Sequence, residues 1–214
     1  MDFGQHTLAD DRLNHENLGK GDGFVKEGYG TLLAHYRRDV PVKLNTIVEG
    51  MNWAGQGVTI QTNDGSAGAK KCVLTVSTEV LNSGKIKFTA ALPVEKYDAF
   101  DAVQLCTYNH ITLQLKDRFH EDLGVKRNTY SIRRISTRPD SPMGSCAILK
   151  LNDSNISCSD VGGQFARDLE KAGSEESIDL VLRALRSTFG SDVDKHLIKA
   201  HATAWDNSPF TMRS

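Results

Sequence analysis

Apolar and polar residues alternate most regularly at Ile111, Leu113 and Leu115, with Thr112, Gln114 and Lys116 between them. A period of two predicts a strand with one face in the core. A different period runs through Ile178, Val181, Leu182, Leu185 and Phe189, which form one stripe of a helix predicted over Glu175 to Phe189. Ser174 is its expected N-cap, Glu175 and Glu176 suit the positive end of its dipole, and Gly190 is placed to end it. The strand's apolar face is expected to pack against that stripe or its neighbours.

Weaker patterns fill the rest of the chain. Residues 1–24 are polar, with Gly19, Gly21 and Gly23 clustered, and read as a flexible lead-in. Leu32, Leu33 and Tyr36 share a face of a short helix predicted from Gly30 to Arg38. Val42 to Trp53 and Gly57 to Thr62 read as strands, and Asn63-Asp64-Gly65 as a hairpin turn. Lys71 to Ser77 carries the continuous run Cys72-Val73-Leu74 expected of a strand buried on both faces. Residues 78–92 read as a connector. Pro93 suits the start of a helix to about Val103, with Val94, Tyr97, Phe100 and Val103 inward. Further strands are predicted at Tyr130 to Ile135, Ser145 to Leu151 and Leu197 to Trp205. The charges of Phe165 to Glu170 read as a solvated approach to the long helix. Interleaved strands and helices predict a mixed α+β fold.

Composition narrows the function without naming one. The 214 residues carry 26 Lys and Arg against 27 Asp and Glu, a net charge of −1, so no bulk positive field draws nucleic acid or an anionic membrane. No run approaches the ~18 apolar residues of a membrane-spanning helix. The first residues show neither a basic nor an apolar export region, so a cytoplasmic location is expected. Cys72, Cys106, Cys146 and Cys158 have no metal-site spacing and are expected to remain thiols, with no disulfide and no metal. A P-loop, a Gly-x-Ser-x-Gly elbow and a zincin His pair do not occur, and Gly28-Tyr29-Gly30 lacks the third glycine of a dinucleotide turn.

The order of segments is more telling. GDGFVKEGYGTLL from Gly21, VKLNTIVEGMNW, GVTIQTNDG, KKCVLTVSTEVLNSGKIKFTAALP, YNHITLQL and the closing HATAWDNSPFTMRS follow one another. This series resembles the flavin-containing amine oxidases, the family of monoamine and polyamine oxidases and lysine-specific histone demethylases. The resemblance implies an FAD-dependent oxidation of an amine to an imine, with hydride passing to flavin N5. It covers the middle of such a protein, without the glycine-rich FAD motif at one end or the segment completing the flavin site at the other. A β-meander piece of an FAD-binding domain would occupy 25–83, a mixed-sheet substrate domain 84–200, and a return to the FAD domain 201–214. The alternative is a non-catalytic remnant or binding module that keeps the substrate-domain sheet without flavin. In either case the missing segments would leave apolar surface bare, which favours self-association.

Site residues follow position by position. Val48 matches a strand residue whose backbone meets the adenine of FAD. Thr75, Val76 and Ser77 match the turn after a buried strand, where the family usually has Pro in place of Ser77. Trp205, Phe210 and Ser214 match the run beside the isoalloxazine ring, with Arg213 standing where the family has glycine. His110 stands where the family commonly has the lysine that holds a water near flavin N5. The implied substrate is a small amine.

Overall fold

A computed structural model describes residues 25, 27–124 and 154–213, together with the strand backbones Arg133–Ile135 and Ser145–Ile148. The chain divides into two compact units. One holds Glu27–Leu105 and Asn207–Arg213, the other Cys106–Asp206.

In the first unit, α1 (Tyr29–Tyr36) precedes strands β1 (Val48–Asn52), β2 (Val58–Thr62) and β3 (Gly65–Ala69). Helix α2 (Thr78–Asn82), strand β4 (Lys87–Thr89) and helix α3 (Val94–Ala102) follow. The sheet order is β3-β2-β1-β4, with β4 parallel to β1. The predicted hairpin forms, and Thr62 pairs with Gly65 across Asn63-Asp64. Gly57 closes its far end: a Cβ there would meet the Ala69 carbonyl oxygen at 2.6 Å. Strand β3 reads Gly-Ser-Ala-Gly-Ala, a composition of low β-propensity that gave no signal in the sequence.

Several expectations for this unit change. Among the described residues Lys71 to Ser77 joins no ladder, and Val73 is 86% exposed while Cys72, Leu74 and Val76 turn inward. It is therefore not a strand buried on both faces. The presumed connector 78–92 contains α2 and β4. Pro93 does cap α3, but Val94, Tyr97 and Val103 are exposed and only Phe100 of the expected inward residues is half-buried. Helix α1 buries no residue at all. The buried core is Met51, Val80 and Ile86.

The second unit is built on β5 (Tyr108–Leu115). Then come α4 (Phe119–Asp122), β6 (Arg133–Ile135), β7 (Ser145–Ile148), β8 (Ile156–Gly162), α5 (Gly163–Ala172), α6 (Ser174–Phe189), a 3-10 turn (Ser191–His196) and β9 (Leu197–Ala202). The sheet order is β6-β7-β8-β5-β9, and every pairing is antiparallel. Ile111, Leu113 and Leu115 are buried together with Val181, Leu182 and Leu185, as the two periodicities predicted. Phe119 completes this core, edge-on to Phe189 at 6.1 Å. Ser174 is the first residue of α6 rather than its cap, since Gly173 takes that position with φ 107°. Gly173 is the one residue between two helices and must turn the chain in a left-handed conformation, which favours glycine there.

Candidate functional site

The solvent side of the second sheet gathers its reactive side chains on two neighbouring strands. His110 on β5 pairs directly with Asp160 on β8, and Cys158 lies two residues earlier on β8. Alternation along a strand puts Cys158 and Asp160 on one face, and direct pairing puts His110 beside them. His110 Nδ1–H donates to Asp160 Oδ1 at 2.7 Å. Cys158 Sγ is 3.8 Å from both atoms. Tyr108 stands edge-on to the imidazole, with ring centroids 5.2 Å apart, and donates to Asp160.

The bond to Asp160, and then that to Cys158, hold the imidazolium far above its ordinary 6.5, at about 10, against the opposing effect of burial. Burial pushes the Asp160 carboxyl up. The hydrogen bond and charge of His110, with the bonds from Tyr108 and Cys158, outweigh it and keep the carboxyl below its usual range. The ring is 43% exposed and can still offer Nε2–H to a water. A histidine so paired is a cation at neutral pH, as a lysine in its place would be.

Next to His110 the backbone enters a buried polar network. Asn109 is 3% exposed. Its Nδ2 donates to Glu170 Oε2 at 2.7 Å, and its Oδ1 accepts from Thr203 Oγ1 at 3.0 Å and from the Trp205 N–H at 3.2 Å. Thr107 Oγ1 donates to Asp206 at 2.8 Å, and Arg167 Nε reaches the same carboxylate at 3.4 Å. Thr203 N–H returns to the His110 carbonyl at 2.9 Å. Glu170 and Arg167 of α5 are thus partners in this network and not the solvated charges expected; only Asp168 of that stretch's acids is exposed. The network fixes the backbone on which Trp205 sits.

The remaining site residues lie in the first unit, apart from Ser214, which falls outside the described residues. Asn63 positions the approach to Val48: its Oδ1 accepts the Ile47 N–H at 2.7 Å, and its own N–H donates to the Ile47 carbonyl at 3.1 Å. The parallel ladder between β1 and β4 begins only at Gly50, so Val48 lies beyond it. Ser77 caps α2 by accepting the Val80 N–H at 3.2 Å, and it donates to the Thr211 carbonyl at 2.6 Å. Arg213 binds Glu79 at 3.0 Å. These bonds bring the 75–77 turn and the closing segment together, and give Arg213 a structural task at the family's glycine position. Phe210 is 61% exposed on that segment. An apolar cavity of about 630 Å³ opens in the same unit, lined by Trp53, Leu74, Phe88, Lys96 and Phe100 among others; none of the expected FAD residues lines it.

These features suit a flavin nucleotide in part. Backbone beyond the end of a ladder can hydrogen-bond a purine, and Phe210 of the same unit is an exposed aromatic of the kind that packs on a flat ring system; Trp205 belongs to the other unit. The Ser77 hydroxyl is already occupied at both its donor and acceptor sides.

The chain belongs to the family of flavin containing amine oxidoreductases, whose family model matches residues 2–214. Among curated proteins it is 24% identical over 197 residues to "Polyamine oxidase 4" of Oryza sativa subsp. japonica, covering 91% of this chain and 38% of that protein. It is 23% identical over 186 residues to "Lysine-specific histone demethylase 1B" of Mus musculus, covering 86% of this chain and 22% of that protein. The chain therefore spans well under half the length of these relatives. Cys72, Cys106 and Cys158 are thiols; the Cys146 side chain lies outside the described residues. Among the described residues, no helix is long and apolar enough to cross a membrane.

The sequence missed Cys158 and Asp160 because it missed β8. Its core-facing positions are Ser157, Ser159 and Val161, all buried, so the alternation carries almost no hydrophobic contrast. The Ser-x-Ser-x-Val spacing was the one available signal.

Proposed function

We propose that this chain supplies part of the flavin surface and most of the substrate domain of an FAD-dependent amine oxidase. Bound FAD would take the hydride from the amine α-carbon, leaving an imine for water to hydrolyse. Val48 would meet adenine through its backbone, and Trp205 and Phe210 would pack against the ring system. His110, held by Asp160, would position a water through Nε2–H where the family commonly uses lysine. Family membership across the whole chain is the observation that carries this reading. The substrate class follows the relatives' names: a small amine or polyamine. The exposed apolar residues of the first unit are proposed to promote self-association.

One observation favours a second reading. His110 is committed to Asp160 on one ring nitrogen, as a purely structural ion pair would be, which suits a non-catalytic module. Equilibrium dialysis of the 214-residue chain against FAD separates the two. The pyrophosphate cradle of a Gly-x-Gly-x-x-Gly turn does not occur in these residues, and the remaining contacts must offset an association cost of at least ~4 kcal/mol. The expected result is saturable FAD binding weaker than micromolar, weakened again in Trp205→Ala, with no peroxide from a panel of amines. Undetectable binding at millimolar FAD would establish the non-catalytic reading instead.

A further inference from the structure

We propose that His110, Cys158 and Asp160 form a binding site for a borderline divalent transition metal of the zinc class, independent of flavin. Three donor atoms of three kinds (imidazole nitrogen, thiol sulfur and carboxylate oxygen) lie within 4.8 Å of one another. Zinc takes ligands of these kinds, with bonds of ~2.3 Å to sulfur and ~2.0–2.2 Å to nitrogen and oxygen. Tetrahedral angles then set neighbouring donors roughly 3.3–3.6 Å apart. The two sulfur separations, each 3.8 Å, are already near that range. The His110–Asp160 pair at 2.7 Å must open by at least ~0.6 Å, and the Nδ1 proton of His110 and the thiol proton of Cys158 pass to solvent as the metal bonds form.

The scaffold favours such a site. All three residues lie on two directly paired strands near the middle of the sheet, β8 and β5, so their backbones are fixed before any ion arrives. Tyr108 orients two of the ligands at once, through its bond to Asp160 and its edge contact with the His110 ring. Such outer contacts fix ligand orientation in metal sites. The side chains of His110 and Asp160 are 43% and 28% exposed, so a fourth position is open to water and the ion can exchange. Thiolate and imidazole discriminate against magnesium and calcium, which prefer oxygen. Metal binding at these three residues needs no flavin.

The test begins with the wild-type chain, stripped with chelator and incubated with or without zinc. Alkylation is then followed cysteine by cysteine by peptide mass spectrometry. Zinc is expected to slow modification of Cys158 while leaving Cys72 and Cys106 unchanged. Cobalt(II) is expected to bind at one equivalent and give the charge-transfer absorption of a metal thiolate. That band is expected to vanish in Cys158→Ser. Tyr108→Phe keeps all three ligands and is expected to weaken cobalt binding by about 10–100-fold. Equal alkylation of Cys158 with and without zinc overturns the proposal, as does an unchanged cobalt spectrum in a folded Cys158→Ser chain.

Discussion

The two units bury their apolar residues very differently. Among its described residues, the Cys106–Asp206 unit closes a core of twelve buried side chains around β5, α5 and α6, and Leu113, Phe119, Val181 and Val193 are wholly enclosed. The other unit buries only Met51, Val80 and Ile86, and it leaves Val73, Leu44, Tyr36 and Val42 largely in solvent. Both have a sheet, a hairpin or its equivalent, and helices. What separates them is a second layer: two amphipathic helices cover the β5 sheet, whereas the β1 sheet meets short helices that bury one residue between them. Secondary structure alone does not make a core; a covered face does.

The largest expected effect is a direct contrast. Leu113→Ala removes an enclosed side chain from the covered sheet and is expected to cost about 2–5 kcal/mol. Met51→Ala, in the sparser cluster, is expected to cost visibly less, since its neighbours can collapse or are already wet. Trp53 and Trp205 lie in different units, so urea unfolding followed by fluorescence in Trp53→Phe and Trp205→Phe backgrounds reports each unit separately. Equal losses would break the contrast.

Asn109→Ala comes next. It strips a donor from Glu170 and an acceptor from Thr203 and Trp205 N–H inside a buried network. Removing one side of such bonds costs ~1–3 kcal/mol. The loss should appear in the transition reported by Trp205.

A smaller effect follows pH. His110 titrates near 10 in the folded chain against an ordinary 6.5. Its contribution is therefore complete below 6.5 and fades as pH rises toward 10. Asp160 is held below its ordinary 3.8, so its contribution is present above 3.8 and is lost as pH falls through its folded value. The unfolding midpoint of the metal-free chain should fall between pH 6.5 and 10, and His110→Gln should flatten that slope. Added salt should weaken it, because the pair is partly exposed.

Ser159→Ala should change least. Among the described residues, the Ser159 Oγ is buried with no hydrogen-bond partner. Removing a hydroxyl that has lost its water, which leaves a methyl side chain, is expected to be neutral or stabilising by about 1 kcal/mol.

The contrast between units also explains what the sequence revealed. Strand β5 and helix α6 were legible because each presents one apolar face to a closed core, so burial imprinted a period on them. Lys71 to Ser77 was misread because Cys72-Val73-Leu74 looks like a doubly buried strand, yet among the described residues no strand pairs with it and Val73 points to solvent. Strands β3 and β8 left no imprint, one made of small exposed residues and the other facing the core with serines. His110 was visible only through its position in the resemblance. Its partners Cys158 and Asp160 needed the register of an unseen strand, and the task of Glu170 needed the path of α5 past Asn109.

Peptide-resolved amide exchange of the intact chain tests the central contrast most directly, since protection follows burial and cooperative packing. The slowest exchange is expected in Ile111–Leu115 and Ser157–Val161, with clearly faster exchange in Val48–Asn52 and Val58–Thr62 despite their ladders. Equal protection of the two sheets would contradict it, showing that the β1 sheet is as well covered as the β5 sheet.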